Sequence, residues 1–389
     1  MDINIIRQDT LGCTNKLFLD SAGCALPPKI VLEKMTAYQQ QEEQIGGYEL
    51  ARQQANVLQT LYSELAQLLH CKPQNVAYAY NATDAFNKAM SAIPFVAGDC
   101  ILTTDDDYIS NHITFLSMQK RLGIKLIRAK NTDNGDLDLL DFEQLIQIHK
   151  PVLVAITHIP TNSGLIQDAE AIGQICKKYK VWYLLDACQS VGQRDVDVQK
   201  IGCDFLNATG RKFLRGPRST GFLYVSDRVL EAGLEPLFID RRGATWTSIE
   251  GYEPKTDATR FEINEISASV IGLTEALRYA NQVGIEQIET RNQQLMARLR
   301  ANLTENRKIQ LLDKGSELCN ILTFSVKSKD LTAVNDYLKR HEVYFSVAHK
   351  NYALIDFAKK NVDWAIRLSP HYYNTFEEID KISEILENI

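Results

Sequence analysis

Residues 181–225 read VWYLLDACQSVGQRDVDVQKIGCDFLNATGRKFLRGPRSTGFLYV, and three apolar runs inside them decide the fold. VWYLLD (181–186), DFLNAT (204–209) and TGFLYV (220–225) are short, rich in β-formers and almost without polar alternation. Strands buried on both faces have that character, because neither side of the pleat meets water. Upstream, VAYAY (76–80), CILTT (100–104), IKLIRA (124–129) and VLVAITHI (152–159) repeat it, bringing the set to seven. Helical-length segments at 82–92, 111–122, 138–147 and 168–179 lie between them. Strand–helix alternation predicts an α/β architecture, a mostly parallel, doubly wound seven-stranded sheet. Ligands of such sheets sit at the C-terminal strand ends.

The C-terminal third reads differently. Two long helices (269–283 and 285–305) precede strands at 318–326, 343–348 and 364–368. A closing helix at 375–387 opens with the capping pattern Thr375-Phe-Glu-Glu378. The expected division is a large domain over 18–268 and a smaller α+β domain over 269–389 that takes in the N-terminal segment 1–17.

The chain has 389 residues, 45% hydrophobic and 24% charged, with a formal net charge of -6. That mild acidity argues against nucleic acid as a partner, since no basic stripe is available to displace counterions. No apolar run is long enough to span a bilayer, and MDINIIRQDTLGC lacks the basic start and apolar core of a secretory signal. The expectation is a cytoplasmic protein. Eight cysteines are scattered with no CxxC pair and no His/Cys ligand spacing, which reads as reduced buried thiols with no metal site.

Two ionic residues fall at one edge of the predicted sheet. Asp186 ends VWYLLD, and Lys212 follows DFLNAT. Alone, the first reads as a helix cap and the second as a solvated loop residue. Together they suit a cofactor that needs an amine to form an imine and an acid to keep a ring nitrogen protonated.

At this point the chain resembles class V of the fold-type I pyridoxal-phosphate (PLP) enzymes, the superfamily of cysteine desulfurases, isopenicillin-N epimerase-like proteins and related C–S lyases. The resemblance runs from FLDSAGCALPP (18–28) to RLSPHYYNTFEEID (367–380), through several motifs in order. It implies PLP as cofactor, held as a Schiff base on Lys212, with Asp186 pairing the pyridinium nitrogen and Gln189 bonding the ring 3′-oxygen. It implies a phosphate site at Ala82 and Thr83, at the start of the helix after VAYAY, with Thr209 and Arg211 completing it. Tyr108 matches the aromatic ring stacked on the cofactor, where desulfurases usually carry histidine. In THIPTNSG (157–164) either Thr161 or Asn162 lies near cofactor and substrate, Thr161 being assigned to the first and Asn162 to the second. Arg367 matches the arginine that clamps the substrate carboxylate. IGGYE (45–49) and RRGATWTSIEGYEP (241–254) look like segments edging the site, the second from a neighbouring subunit, with Tyr48, Arg242 and Trp246 as substrate contacts. The resemblance also implies a homodimer.

One feature narrows the reaction. Persulfide-forming desulfurases carry a nucleophilic cysteine shortly before the carboxylate-binding arginine, whereas residues 320–367 contain none. That disfavours persulfide formation and leaves chemistry that needs no catalytic thiol. GRKFLRGPR, HIPTNSG and IGGYE resemble the isopenicillin-N epimerase-like branch, which includes C–S lyases, and that resemblance implies β-elimination on a cysteine-derived amino acid. Transamination or epimerisation with the same residues is the alternative.

Overall fold

The computed structural model describes residues 1–389 apart from 15, 264 and 265. The seven apolar runs become β1 (Val76–Ala79), β2 (Cys100–Thr104), β3 (Lys125–Ala129), β4 (Leu153–Thr157), β5 (Trp182–Asp186), β6 (Phe205–Thr209) and β7 (Gly221–Val225). They form one seven-stranded sheet in the order β1-β7-β6-β5-β4-β2-β3. The pairs from β6 across to β3 are parallel. Only β7 runs against both neighbours. Residues 210–220 are too few for the helical crossover that a parallel return requires, so the chain turns straight back.

Alternate residues of each strand enter opposite cores, as the pleat demands. Val154, Leu185, Leu206 and Phe222 pack with Leu61, Leu65, Phe142 and Leu273 on one face. Leu153, Leu184, Phe205 and Leu223 pack with Phe86, Met90 and Phe115 on the other. Burying each such side chain contributes about 1.5–3 kcal/mol, which is why continuous apolar runs are used here. The helices expected at 138–147 and 168–179 start one residue later, because Asp138 and Asp168 cap them from outside. Asn81, Asp138 and Asp168 accept from backbone amides at the starts of Ala82–Ala92, Leu139–His149 and Ala169–Tyr179.

Beyond the sheet, the helix Ala268–Val283 buries Val270, Leu273 and Leu277 in the same core as β5 and β6. A second, antiparallel sheet comprises β8 (Ile309–Leu311), β9 (Leu322–Val326), β10 (Ser346–His349) and β11 (Trp364–Leu368), ordered β8-β9-β11-β10. The helices Ile285–Thr304 and Phe376–Glu387 cover it, and Leu17 of the N-terminal segment, with Leu19 just after it, joins their core. The expected strand at 318–326 starts only at Leu322, because Leu318 bridges to Leu165 instead. The expected strand at 343–348 breaks at Phe345, and Val343–Tyr344 pairs with Leu17–Phe18 rather than joining the sheet. The capping box at Thr375 and Glu378 forms as read. Among the described residues no helix is long and apolar enough to cross a membrane.

Candidate active site

A cavity of about 440 Å³ opens where β4, β5 and β6 end, and Thr157, Asp186 and Thr209 line it from those three strand ends. Asp186 is 4% exposed. Its Oδ1 accepts from the Cys188 amide at 3.0 Å and its Oδ2 from the Asn111 side chain at 3.0 Å. Lys212 lines the same cavity from the turn after β6. Burial pushes its pKa down, Cys188 and Asp186 pull it up, Arg211 and Arg367 push it down again, and the net shift is downward. A buried amine of this kind gives up its proton more readily than an exposed lysine, which is the form a nucleophile or base requires.

One wall is the start of the helix Ala82–Ala92, from Asn81 to Asp84. Its approach depends on Gly221, the first residue of β7. A Cβ there would lie 2.6 Å from the Asn81 carbonyl carbon and 2.9 Å from the Ala82 nitrogen. Asp84 in the first turn is paired with Lys88 at 2.9 Å, so its charge does not oppose an anion at the helix end. Thr209 and Arg211 line the same cavity. The Thr209 hydroxyl donates to the Thr220 carbonyl, and Arg211 donates to the Gly23 carbonyl. Tyr108 lies across the opening, its ring centroid 5.9 Å from Lys212 Nζ.

Gln189 donates through Nε2 to Thr161 Oγ1 at 3.0 Å and to the Ala22 carbonyl, while its buried Oε1 has no partner. Arg367, on β11, reaches Thr161 Oγ1 through Nη1 at 2.5 Å. Its Nη2 meets Ser346 at 3.0 Å and Asp20 at 3.3 Å, and its buried Nε is unpartnered. Thr161 thus joins the cavity to Arg367. Asn162 does not take the place assigned to it. Its side chain turns away to donate to Asp356 at 3.0 Å. There it belongs to a buried ionic group in which Asp356 meets Lys314 at 2.8 Å and Lys360 at 2.7 Å, and Lys314 also meets Asp106.

Tyr48 and Trp246 are not brought to this cavity within one chain. Tyr48 is 74% exposed, and Trp246, 77% exposed, stands on the hairpin of Ala244–Ser248 with Gly251–Pro254. Arg242 lies 3.5 Å from Glu262 rather than at the cavity.

The turn carrying Lys212 is itself pinned. Buried Arg215, at φ 63, donates to Leu26 O at 2.8 Å, Thr10 Oγ1 at 2.5 Å and Tyr372 Oη at 2.6 Å. His371 Nε2 bonds the Phe213 carbonyl at 2.8 Å. Residues from both ends of the chain therefore hold this turn. Several site residues went unread in the sequence: Asn111, Asp107 and Thr157 behind Asp186, and Asp20 and Ser346 around Arg367. Asn111 lies three positions after Tyr108, a helical spacing that could have signalled it.

The class-V aminotransferase family model matches residues 17–382. The chain belongs to the class V aminotransferase family. A probable cysteine desulfurase of Methanothermobacter thermautotrophicus is 28% identical, the match covering 99% of this chain and 97% of the relative. Among solved structures, the apo cysteine desulfurase of Thermococcus onnurineus NA1 has a TM-score of 0.91 at 26% identity, covering 100% of this chain and 98% of that one. The cystine C–S lyase C-DES, solved with its reaction product cysteine persulfide, shares the fold at TM-score 0.86 and 22% identity, over 98% of this chain and 99% of that one.

As a class V enzyme the chain uses PLP. The cavity fits that group: a buried carboxylate and a buried amine in one chamber, a helix N-terminus with its acid neutralised, and an acceptor on Gln189 left without a donor.

Proposed function

We propose that this class V enzyme is a C–S lyase that breaks the Cβ–S bond of a cysteine-derived amino acid by β-elimination. When bound, PLP supplies the electron sink for the charge left when Cα loses its proton. The rest is work for this chain's residues. Lys212 removes that proton, helped by the burial that lowers its pKa. Asp186, oriented by the Cys188 amide and Asn111, would pair with the ring nitrogen. The helix start at Ala82 and Thr83, with Thr209 and Arg211, would hold the phosphate. Tyr108 would lie against the ring, and Thr161 bridges Gln189 to Arg367. Arg367 receives the substrate carboxylate through its guanidinium, whose buried Nε has no partner within the chain. The Cα–H and Cβ–S bonds break, the sulfur leaves with the electron pair and a proton, and added water releases pyruvate and ammonia.

The observation that carries this reading is the lack of a suitable thiol. Residues 320–367 contain no cysteine, so the sulfur has no acceptor on the segment leading to Arg367. Cys319 is buried, and burial pushes its thiol pKa up to about 12. Cys188 lines the cavity, but burial and then Asp186 hold its thiol well above the usual range. A sulfur that cannot pass to the protein departs as a small molecule. The test is product analysis of PLP-loaded enzyme given L-cystine or an S-substituted cysteine without a keto acid. Pyruvate and ammonia in equal amounts are expected. Alanine with sulfur left on the protein would indicate a desulfurase, dependence on a keto acid a transaminase, and racemised substrate alone an epimerase; each overturns the proposal.

A homodimer completes the reading. Trp246 and Ile249 on the hairpin, with Leu237 and Phe238 before it, are each more than two-thirds exposed and leave an apolar surface that a second copy would cover. In that assembly Trp246 and Tyr48 serve the partner's site.

A further inference from the structure

Asp186 does not stand alone beneath the cavity. The Asn111 amide nitrogen has two hydrogens, and it lies 3.0 Å from Asp186 Oδ2 and 2.9 Å from Asp107 Oδ1. Two carboxylate oxygens on one amide settle its orientation, since its own oxygen would face neither favourably. Asp107 is in turn immobilised. Its Oδ2 accepts from Thr103 at 2.8 Å, and its Oδ1 also accepts from the Tyr108 amide at 2.7 Å and from the Thr157 hydroxyl. Asp107 and Asn111 are both buried. Thr103 and Thr157 belong to β2 and β4, and Asn111 stands in the first turn of the helix Ile109–Leu122. The amide is thus gripped from behind by two strands and a helix.

We infer that Asn111, anchored by Asp107, is the positioning residue for Asp186, fixing the carboxylate plane so that it addresses the ring nitrogen of the cofactor. The inference rests on the assignment of Asp186 under the proposed function. The Cys188 amide holds one oxygen of Asp186 and Asn111 holds the other, so the carboxylate has no free rotation about its last bond. Asp107 keeps Asn111 from following any other acceptor. Tyr108 shares the arrangement, because its backbone amide sits on Asp107, so the ring over the cavity and the acid beneath it are set from one anchor.

The experiment compares the PLP-loaded and apo forms of wild type, Asn111→Ala, Asn111→Asp and Asp186→Ala. The readouts are PLP affinity by fluorescence titration of apoprotein, the pH dependence of the visible absorbance, apoprotein melting temperature, and kcat and KM. Losing one hydrogen bond to a charged group corresponds to about tenfold or more in affinity. Asn111→Ala is therefore expected to bind PLP about tenfold more weakly, shift the absorbance titration, and lower kcat with KM nearly unchanged. Asn111→Asp keeps the shape but sets a third buried carboxyl against Asp107 and Asp186, so it is expected to be at least as impaired as Asn111→Ala and to melt below wild type. An Asn111→Asp protein with wild-type PLP affinity and absorbance overturns the inference, whatever Asn111→Ala does. Asp186→Ala separates the two assignments. If it leaves PLP binding intact, the role of Asp186 itself fails; if it weakens PLP while both Asn111 variants bind normally, only the positioning role fails.

Discussion

One added methyl group, Gly221→Ala, should reach the cofactor through the backbone. The new Cβ would meet the Asn81 carbonyl carbon at 2.6 Å, the Ala208 oxygen at 2.7 Å and the Ala82 nitrogen at 2.9 Å. Carbon atoms in comfortable contact stand about 3.5–4.0 Å apart, so the gap must widen by close to an ångström. All three neighbours are backbone, and no flexible side chain can yield in their place. Overpacking of this kind costs about 1–3 kcal/mol, lowering the melting temperature of the apoprotein. What moves is the start of the helix Ala82–Ala92, the proposed phosphate wall. Displacing it by most of an ångström takes at least one charge-assisted hydrogen bond out of range, about 1.5–3 kcal/mol, or roughly ten- to a hundredfold in PLP affinity. Titration of apoprotein with PLP, beside thermal melts, measures both effects. A variant that melts lower yet binds PLP within twofold of wild type would refute the phosphate assignment, and one unchanged in both would refute the packing argument.

Further outcomes can be checked in parallel. Lys212→Ala should abolish the pyridoxyl adduct that borohydride fixes on the wild-type chain, and peptide mass spectrometry locating the adduct elsewhere would contradict the assignment. His158 is buried, which pushes its pKa down to about 3. It is neutral when folded but charges near pH 6.5 when unfolded, so stability present above about 6.5 is lost as pH falls towards 3, at about 1.4 kcal/mol per pH unit. Urea denaturation of apoprotein at pH 7 and 5 should show a shallower pH dependence in His158→Gln, and an identical one would remove this residue as a cause. Asp356→Ala strands the Lys360 ammonium and frees Asn162, which should cost about 3 kcal/mol and raise hydrogen exchange across 350–361. Replacing Trp246 and Ile249 together by Asp should shift the sedimenting species towards monomer, and an unchanged mass would place the subunit contact elsewhere.

The sheet was legible because buried strands announce themselves. CILTT and WAIRL were placed to the residue. The sense of β7 was not legible, since period and composition are alike in parallel and antiparallel strands. It follows from loop length, which had to be weighed separately. The pairing of Asp186 with Lys212 was readable from their places at neighbouring strand ends. Which of Thr161 and Asn162 enters the cavity was not, because adjacent side chains point apart and what draws Asn162 away is Asp356, nearly two hundred positions later. Asn111 was missed because one of its partners, Asp186, lies 75 positions away, although the other, Asp107, is only four positions before it.

The clamp on Arg215 has a consequence for how the molecule is made. The turn bearing Lys212 is fastened by Thr10 and Leu26, far before it in the sequence, and by His371 and Tyr372, far after it. While His371 and Tyr372 are still inside the ribosome, that fastening cannot close. Until then the nascent chain carries the Lys212 amine on a turn that lacks its contacts to His371 and Tyr372.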